Sequence, residues 1–409
     1  MNDIDSSLEC IPMYTVNPVD ELHTVDKSLI FLQDCVQSQD VESKDDTLLL
    51  EINHKLDKSQ LVQQRTFRLV GLVMFLVSMG LCVLRLSVAF LSNIGVDTSF
   101  ADGLLVDFLF GLAMQVGFML ILPYFVYKYG LKKTTRQVFL FGNVNRTRLS
   151  NILMSVALGF CCFVATIALS MIWRIFIEAL GYHTSTSSLP NASVGGLLLS
   201  IFVVGVLPSI CEEWTFRGGF LTVVNQHFGK KATVLICGIA FGLFHQNILQ
   251  VFYTAMIGML LVHLTLTTKS IVPAMIIHFI NNSTGTYLSY AQGLGWFGQN
   301  FYNLLSTNLI VTTVMFFLVF GIGILLIGLM NNINTEPQKI KPKSTGLMLN
   351  LATVTPIVLP STVLTGTPDI ELSCISKYTP TLRDYSFFVG AVVVTVLSTV
   401  FSYVWGFGW

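Results

Sequence analysis

The 409-residue chain is 53% hydrophobic, only 11% charged and has a mean hydropathy of +0.69, its 23 lysines and arginines balanced by 23 aspartates and glutamates. Soluble domains carry about 25% charged residues, so this composition excludes an ordinary soluble globule and predicts an all-α polytopic membrane protein. Zero net charge offers no basic surface to nucleic acid, and no such partner is expected.

Residues 1–65 are polar and acid-rich, with Asp45, Asp46 and Glu51 among them. No cleavable signal sequence is legible there, so the stretch is expected to be a cytoplasmic amino-terminal extension, the first membrane helix serving as its own insertion signal. Leu49, Ile52 and Leu56 recur at helical spacing.

From Thr66 onward about nine apolar segments approach the roughly 20 residues that cross a bilayer. They fall near 66–93, 104–127, 150–180, 193–224, 232–246, 248–267, 271–290, 303–331 and 385–408. The connection 128–148 carries Lys128, Lys132, Lys133, Arg136, Arg146 and Arg148, and Lys230, Lys231, Lys269, Lys339, Lys341 and Lys343 mark later ones. The alternate connections 94–103, 181–192 and 291–302 hold no lysine or arginine. By the positive-inside rule the amino terminus is cytoplasmic and the carboxyl terminus outside. A transmembrane bundle is expected over 66–331, a proline-bearing cytoplasmic linker over 332–384 and one additional membrane helix over 385–409. The eight cysteines show no CxxC or other ligand spacing, and those in apolar runs read as small core residues.

The polar residues of the fourth segment are the most costly in the chain. Glu212, Glu213 and Arg217 sit together in apolar sequence, where unpaired charges cost several kcal/mol (about 2.5–3.5 on the most lenient scale). Glu213 and Arg217 are four apart on one helical face, in the favoured acid-first order. Glu212 is rotated from Glu213 by about 100° and is free to point elsewhere. Further on come Phe241 and His245, then His278 and Asn282 one turn apart. Gly238 and Gly242 make a small face that lets a neighbouring helix approach. A carboxylate, two imidazoles and a carboxamide from three helices suit water-dependent acyl chemistry. Glutamate and histidine can deprotonate water, and histidine and asparagine can stabilise an oxyanion.

In these motifs the chain resembles the CAAX-type prenyl endopeptidase and bacteriocin-processing (CPBP, or Abi) intramembrane proteases. That family's pattern is EExxxR, FxxxH and HxxxN on separate helices. Here it reads Glu212, Glu213 and Arg217; Phe241 and His245; His278 and Asn282. The resemblance covers a core at about 193–290. It implies that Glu212 and His245 activate the attacking water and that His278 with Asn282 forms the oxyanion site. Glu213 and Arg217 are then the structural pair. A metal-free mechanism is favoured, with zinc held by Glu212, His245 and His278 as the alternative; HExxH is absent. The expected substrate is a membrane-associated peptide or protein tail, and the expected location is the plasma membrane, with the acidic extension and lack of organelle signals suiting a bacterium.

The same residues admit plainer readings. The constellation could be a catalytically silent scaffold or bacteriocin-immunity protein of this family, or a transporter's ion path, though no repeat symmetry is visible. His263 belongs to no motif and reads as a helix–helix hydrogen-bond partner. Arg174 with Glu178 reads as a partly solvated pair, and Arg85 with Asp107 as a structural one. Asn281, three residues from His278, competes with Asn282 as donor.

Overall fold

A computed structural model describes residues 44–93, 104–140, 144–182, 193–335, 357–359, 370–372 and 378–404. The connection 94–103, most of 181–192, and the greater part of 1–65 and 332–384 lie outside the described residues, as do the side chains of Arg85 and Asp107.

Contacts divide the chain into two units, Met1–Leu61 with Ala352–Lys377 and Val62–Leu351 with Tyr378–Trp409. The described part of the first consists of the start of helix α1 (Lys44–Asn93) and an antiparallel pair, β1 (Ile357–Leu359) and β2 (Ile370–Leu372). Ile357 pairs with Leu372 and Leu359 with Ile370. An antiparallel strand pair thus lies inside the stretch expected to be a linker, and three of its six residues, Ile357, Val358 and Ile370, are of the β-branched type that favours strands.

The second unit is helical. After α1 come α2 (104–130), α3 (Thr135–Leu140), α4 (Leu149–Ala179), α5 (Val194–His227), α6 (Lys230–Phe244) and α7 (Val251–Thr268). Then follow α8 (Val272–Leu294), α9 (Gln299–Thr307), α10 (Leu309–Thr335) and α11 (Ser386–Val404). Among the described residues, seven stretches are long and apolar enough to cross a membrane: Gln60–Leu84, Phe108–Gly130, Leu149–Ala179, Val194–His227, Val251–Thr268, Leu309–Thr335 and Ser386–Val404. The two further segments expected from sequence are α6 and α8, and each falls short for its own reason. The 15 residues of α6 rise only about 22 Å against a hydrocarbon core of about 30 Å. The 23 residues of α8 are long enough, but His278, Asn281, Asn282, Ser283, Thr286 and Ser289 lower its apolarity.

Two of the buried apolar clusters contain residues that also line the site. Phe67, Val70 and Met74 of α1, Met119 and Tyr127 of α2, Phe216 and Phe220 of α5, Phe241 of α6 and Ala391 of α11 share one buried cluster. Leu158 and Cys162 of α4 pack with Leu261 and Leu264 of α7, Ile277 of α8 and Met330 of α10 in another. The short α6 lies flush against α7 because Gly238 and Gly242 face it: a Cβ on Gly242 would come within 2.5 Å of the Val251 carbonyl oxygen. His263 bonds Asn331 of α10 at 3.2 Å, the helix–helix role expected of it. Arg174 and Glu178 form a 3.6 Å pair with side chains 50% and 39% exposed.

The last helix is tied to the first by one buried acid. Asp384, 0% exposed, accepts from Arg68 and Gln64 of α1 and from Thr381 and Tyr378 of its own segment. The Tyr378 N–H donates to Gln63 at 3.0 Å. Burial opposes ionisation of Asp384, but the bonds from Thr381, Tyr378 and Arg68 outweigh it and hold the carboxyl well below the usual carboxylate range. Burial, followed by the bond to Asp384, pushes the Tyr378 phenol up to about 12.

Candidate active site

Helices α2 and α5 are not regular where they meet the site. α2 is π-helical over Ala113–Ile121, and α5 over Ile201–Val206 and again over Trp214–Phe220. Pro123 and Pro208 lie just beyond the first two of these stretches. A proline inside a helix has no N–H to give, and its ring crowds the carbonyl four residues earlier. Those carbonyls belong to Met119 and Val204, and each finds another donor. Thr215 Oγ1 donates to the Met119 oxygen, and Asn282 Nδ2 donates to the Val204 oxygen at 2.9 Å. The helix irregularities thus create two acceptors, one of which binds α2 to α5 and the other α8 to α5.

Beneath the cavity, Glu213 and Arg217 form the pair expected from their spacing, Nη1 to Oε1 at 3.0 Å, with side chains 0% and 1% exposed. The second π-helical stretch of α5 does not separate them. The guanidinium also lies 4.1 Å above the Phe241 ring and donates to the Gly258 carbonyl at 3.4 Å. Such a desolvated cation over an aromatic face is worth about 2 kcal/mol. The same Glu213 oxygen accepts from His278 Nδ1 at 2.8 Å. A carboxylate only accepts, so the Nδ1 position carries the proton. Glu213 therefore sets the tautomer and angle of the His278 ring as well as neutralising Arg217, a second task that linear spacing does not reveal.

Glu212 turns the other way, as its 100° offset requires. Its Oε1 accepts from Gln115 Nε2 of α2 at 2.8 Å. At the carboxyl end of α6 the helix stops at Phe244, His245 takes the cap position and Gln246 has a left-handed backbone, φ 47°. The buried Gln246 side chain, which donates to the Ser78 carbonyl at 2.9 Å, anchors this turn. His245 Nδ1 donates to the Phe241 carbonyl at 2.9 Å, which leaves the lone pair of the neutral ring on Nε2. On α8, Asn281 donates to the Asn282 side-chain oxygen at 3.1 Å and accepts from Thr166 of α4 at 3.0 Å. Asn281 is thus a brace for Asn282 within this network.

Glu212, His245, His278, Asn281 and Asn282 all line one cavity of about 610 Å³, together with Gln115, Thr166 and Thr254. Apolar walls from Leu81, Phe110, Phe163, Val203 and Ile257 surround this polar patch. The structure brings the four residues expected to act on a substrate to a common space, and it seats Glu213 and Arg217 directly behind them. Among the described residues no three histidine, cysteine, aspartate or glutamate side chains are grouped so as to hold a metal ion. His278 Nδ1 is committed to Glu213, and one oxygen of Glu212 to Gln115.

Residues 194–284 match the family model described as "Rce1-like: Type II CAAX prenyl endopeptidase Rce1-like". No match was found among curated proteins or among solved structures. The matched stretch contains all seven motif residues, whereas Gln115 and Asp384 lie outside it.

Proposed function

Because this chain carries a CAAX-protease domain of the Rce1-like kind over residues 194–284, we propose that it is an intramembrane endopeptidase hydrolysing a peptide bond in a membrane-associated peptide or protein tail. One observation carries the reading: an acid, two imidazoles and a carboxamide from α5, α6 and α8 line a single cavity in a helical membrane bundle. Glu212 and His245 act on the water. The proton passes from water oxygen to this pair, whose His245 Nε2 lone pair is set by the Nδ1 bond to Phe241, as the oxygen attacks the scissile carbonyl carbon.

The resulting oxyanion sits between Asn282 Nδ2, which keeps a second hydrogen beyond the one given to Val204, and His278 Nε2. Nε2 donates only when the ring carries two protons, since Nδ1 already donates to Glu213. When the tetrahedral adduct collapses, the C–N bond breaks and the proton held by the water-activating pair passes to the leaving amine. The alternation of basic and base-free connections supports nine crossings, with α6 and α8 counted, and an active site toward the cytoplasmic side.

The test is a comparison of membrane-peptide profiles from cells carrying wild-type protein or Glu212→Ala, with a farnesylated CAAX-tail peptide as the first defined probe. The expected result is a set of products present only with wild type, at equal membrane levels of both proteins. Identical profiles together with an unchanged cellular effect would overturn the protease reading in favour of a scaffold.

A further inference from the structure

We propose that Gln115, on a helix outside the matched domain, is the positioning residue for the Glu212 carboxylate; this rests on the protease reading above. Glu212 lines the cavity, and the hydrogen bond from Nη1 of Arg217, the cation on its own helix, goes to Glu213. The bond from Gln115 Nε2 to Glu212 Oε1, 2.8 Å long, supplies a restraint from α2. It leaves Oε2 as the oxygen presented to a substrate.

Three features make Gln115 a fixed support. It lies in the π-helical stretch Ala113–Ile121, between the buried Met114 and Met119. That stretch is pinned to α5 by the Thr215 bond to the Met119 carbonyl, three residues from Glu212. α2 also meets α5 closely at Tyr127, whose hydroxyl would lie 2.7 Å from a Cβ placed on Gly219, so only glycine allows this approach. The orientation of the amide follows from chemistry. Reversed, its oxygen would face a carboxylate oxygen, two acceptors without a proton between them. In the orientation found, Gln115 Oε1 is buried and has no hydrogen-bond partner among the described residues.

The experiment uses full-length protein in lipid nanodiscs, with Gln115→Leu, Gln115→Met and Gln115→Asn beside wild type. Infrared difference spectra between each protein and the same protein with Glu212→Gln isolate the Glu212 carboxylate stretch. Kinetics use whichever peptide the wild type is found to cleave. The leucine and methionine variants are expected to lose about tenfold to a hundredfold in kcat, the range for a hydrogen bond to a charged group. KM should stay within about twofold, since the restraint acts on the attacking side. Gln115→Asn, which keeps the amide, should recover part of the rate, and the Glu212 stretch should move in the leucine and methionine variants. Should one apolar variant fail to fold, the other is read in its place. A folded apolar variant with wild-type kcat, or an unmoved Glu212 stretch, overturns the proposal. If the wild type cleaves nothing, the protease reading fails and the infrared shift alone decides whether Gln115 holds Glu212.

Discussion

Replacing Arg217 by methionine tests how the polar layer under the cavity is held. The side chain is 1% exposed, its partner Glu213 0%, and methionine keeps most of the volume, so little cavity is opened. What remains is an uncompensated carboxylate in a membrane interior, and breaking a buried pair from one side costs about 3–5 kcal/mol. Loss of the contact over Phe241, 4.1 Å from the guanidinium, adds to this, while the bond from His278 to Glu213 partly offsets it. The expected destabilisation of Arg217→Met therefore stays within about 3–5 kcal/mol. Removing both charges in Glu213→Leu/Arg217→Met leaves His278 Nδ1 without its partner, at about 1–3 kcal/mol, and takes one donor from the Gly258 carbonyl. The double variant should thus be more stable than the single one, yet inactive, because nothing then orients His278. Equilibrium unfolding in mixed anionic and neutral detergent micelles measures both, with peptide cleavage read in parallel. An Arg217→Met protein within about 1 kcal/mol of wild type, or a double variant less stable than the single, would refute the account of Glu213 as a doubly engaged, ionised acceptor.

Asn282→Ala removes a candidate oxyanion donor and should lower kcat by about 100- to 1,000-fold at nearly constant KM, whereas Asn281→Ala, which removes only a brace, should cost less in the same peptide assay. Asp384 predicts an acid-sensitive attachment of the last helix: its carboxyl is lower in the folded protein than in the unfolded chain, so its contribution is complete above the ordinary value of about 3.9 and is lost as pH falls below it. Limited proteolysis around residues 378–385 should show protection weakening below about pH 4 in wild type, and Asp384→Asn should show weaker protection at neutral pH with that acid dependence removed.

Much of this protein could be read along the chain because its strongest constraints are local. Each buried charge in a membrane helix must find a partner, so Glu213 and Arg217, four apart in an apolar run, announce their pairing before any packing is known. The one-residue offset of Glu212 likewise foretells that it looks elsewhere. The glycines of α6 forecast its close contact with α7, and apolar segment lengths forecast the helical bundle. The proline signal was legible in principle too, since Pro123 and Pro208 each mark an acceptor four residues earlier, but only the fold identifies the donors as Thr215 and Asn282.

What the tertiary structure alone decided are the partners far apart in sequence. Gln115 stands 97 residues before Glu212, His278 lies 65 after Glu213, and Asp384 is 316 from Arg68. No periodicity encodes such pairings; they exist because packing brings particular turns of separate helices within hydrogen-bond reach. Residue type and spacing along one helix determined which groups had to be satisfied. Which groups satisfy them depended on how the helices cross.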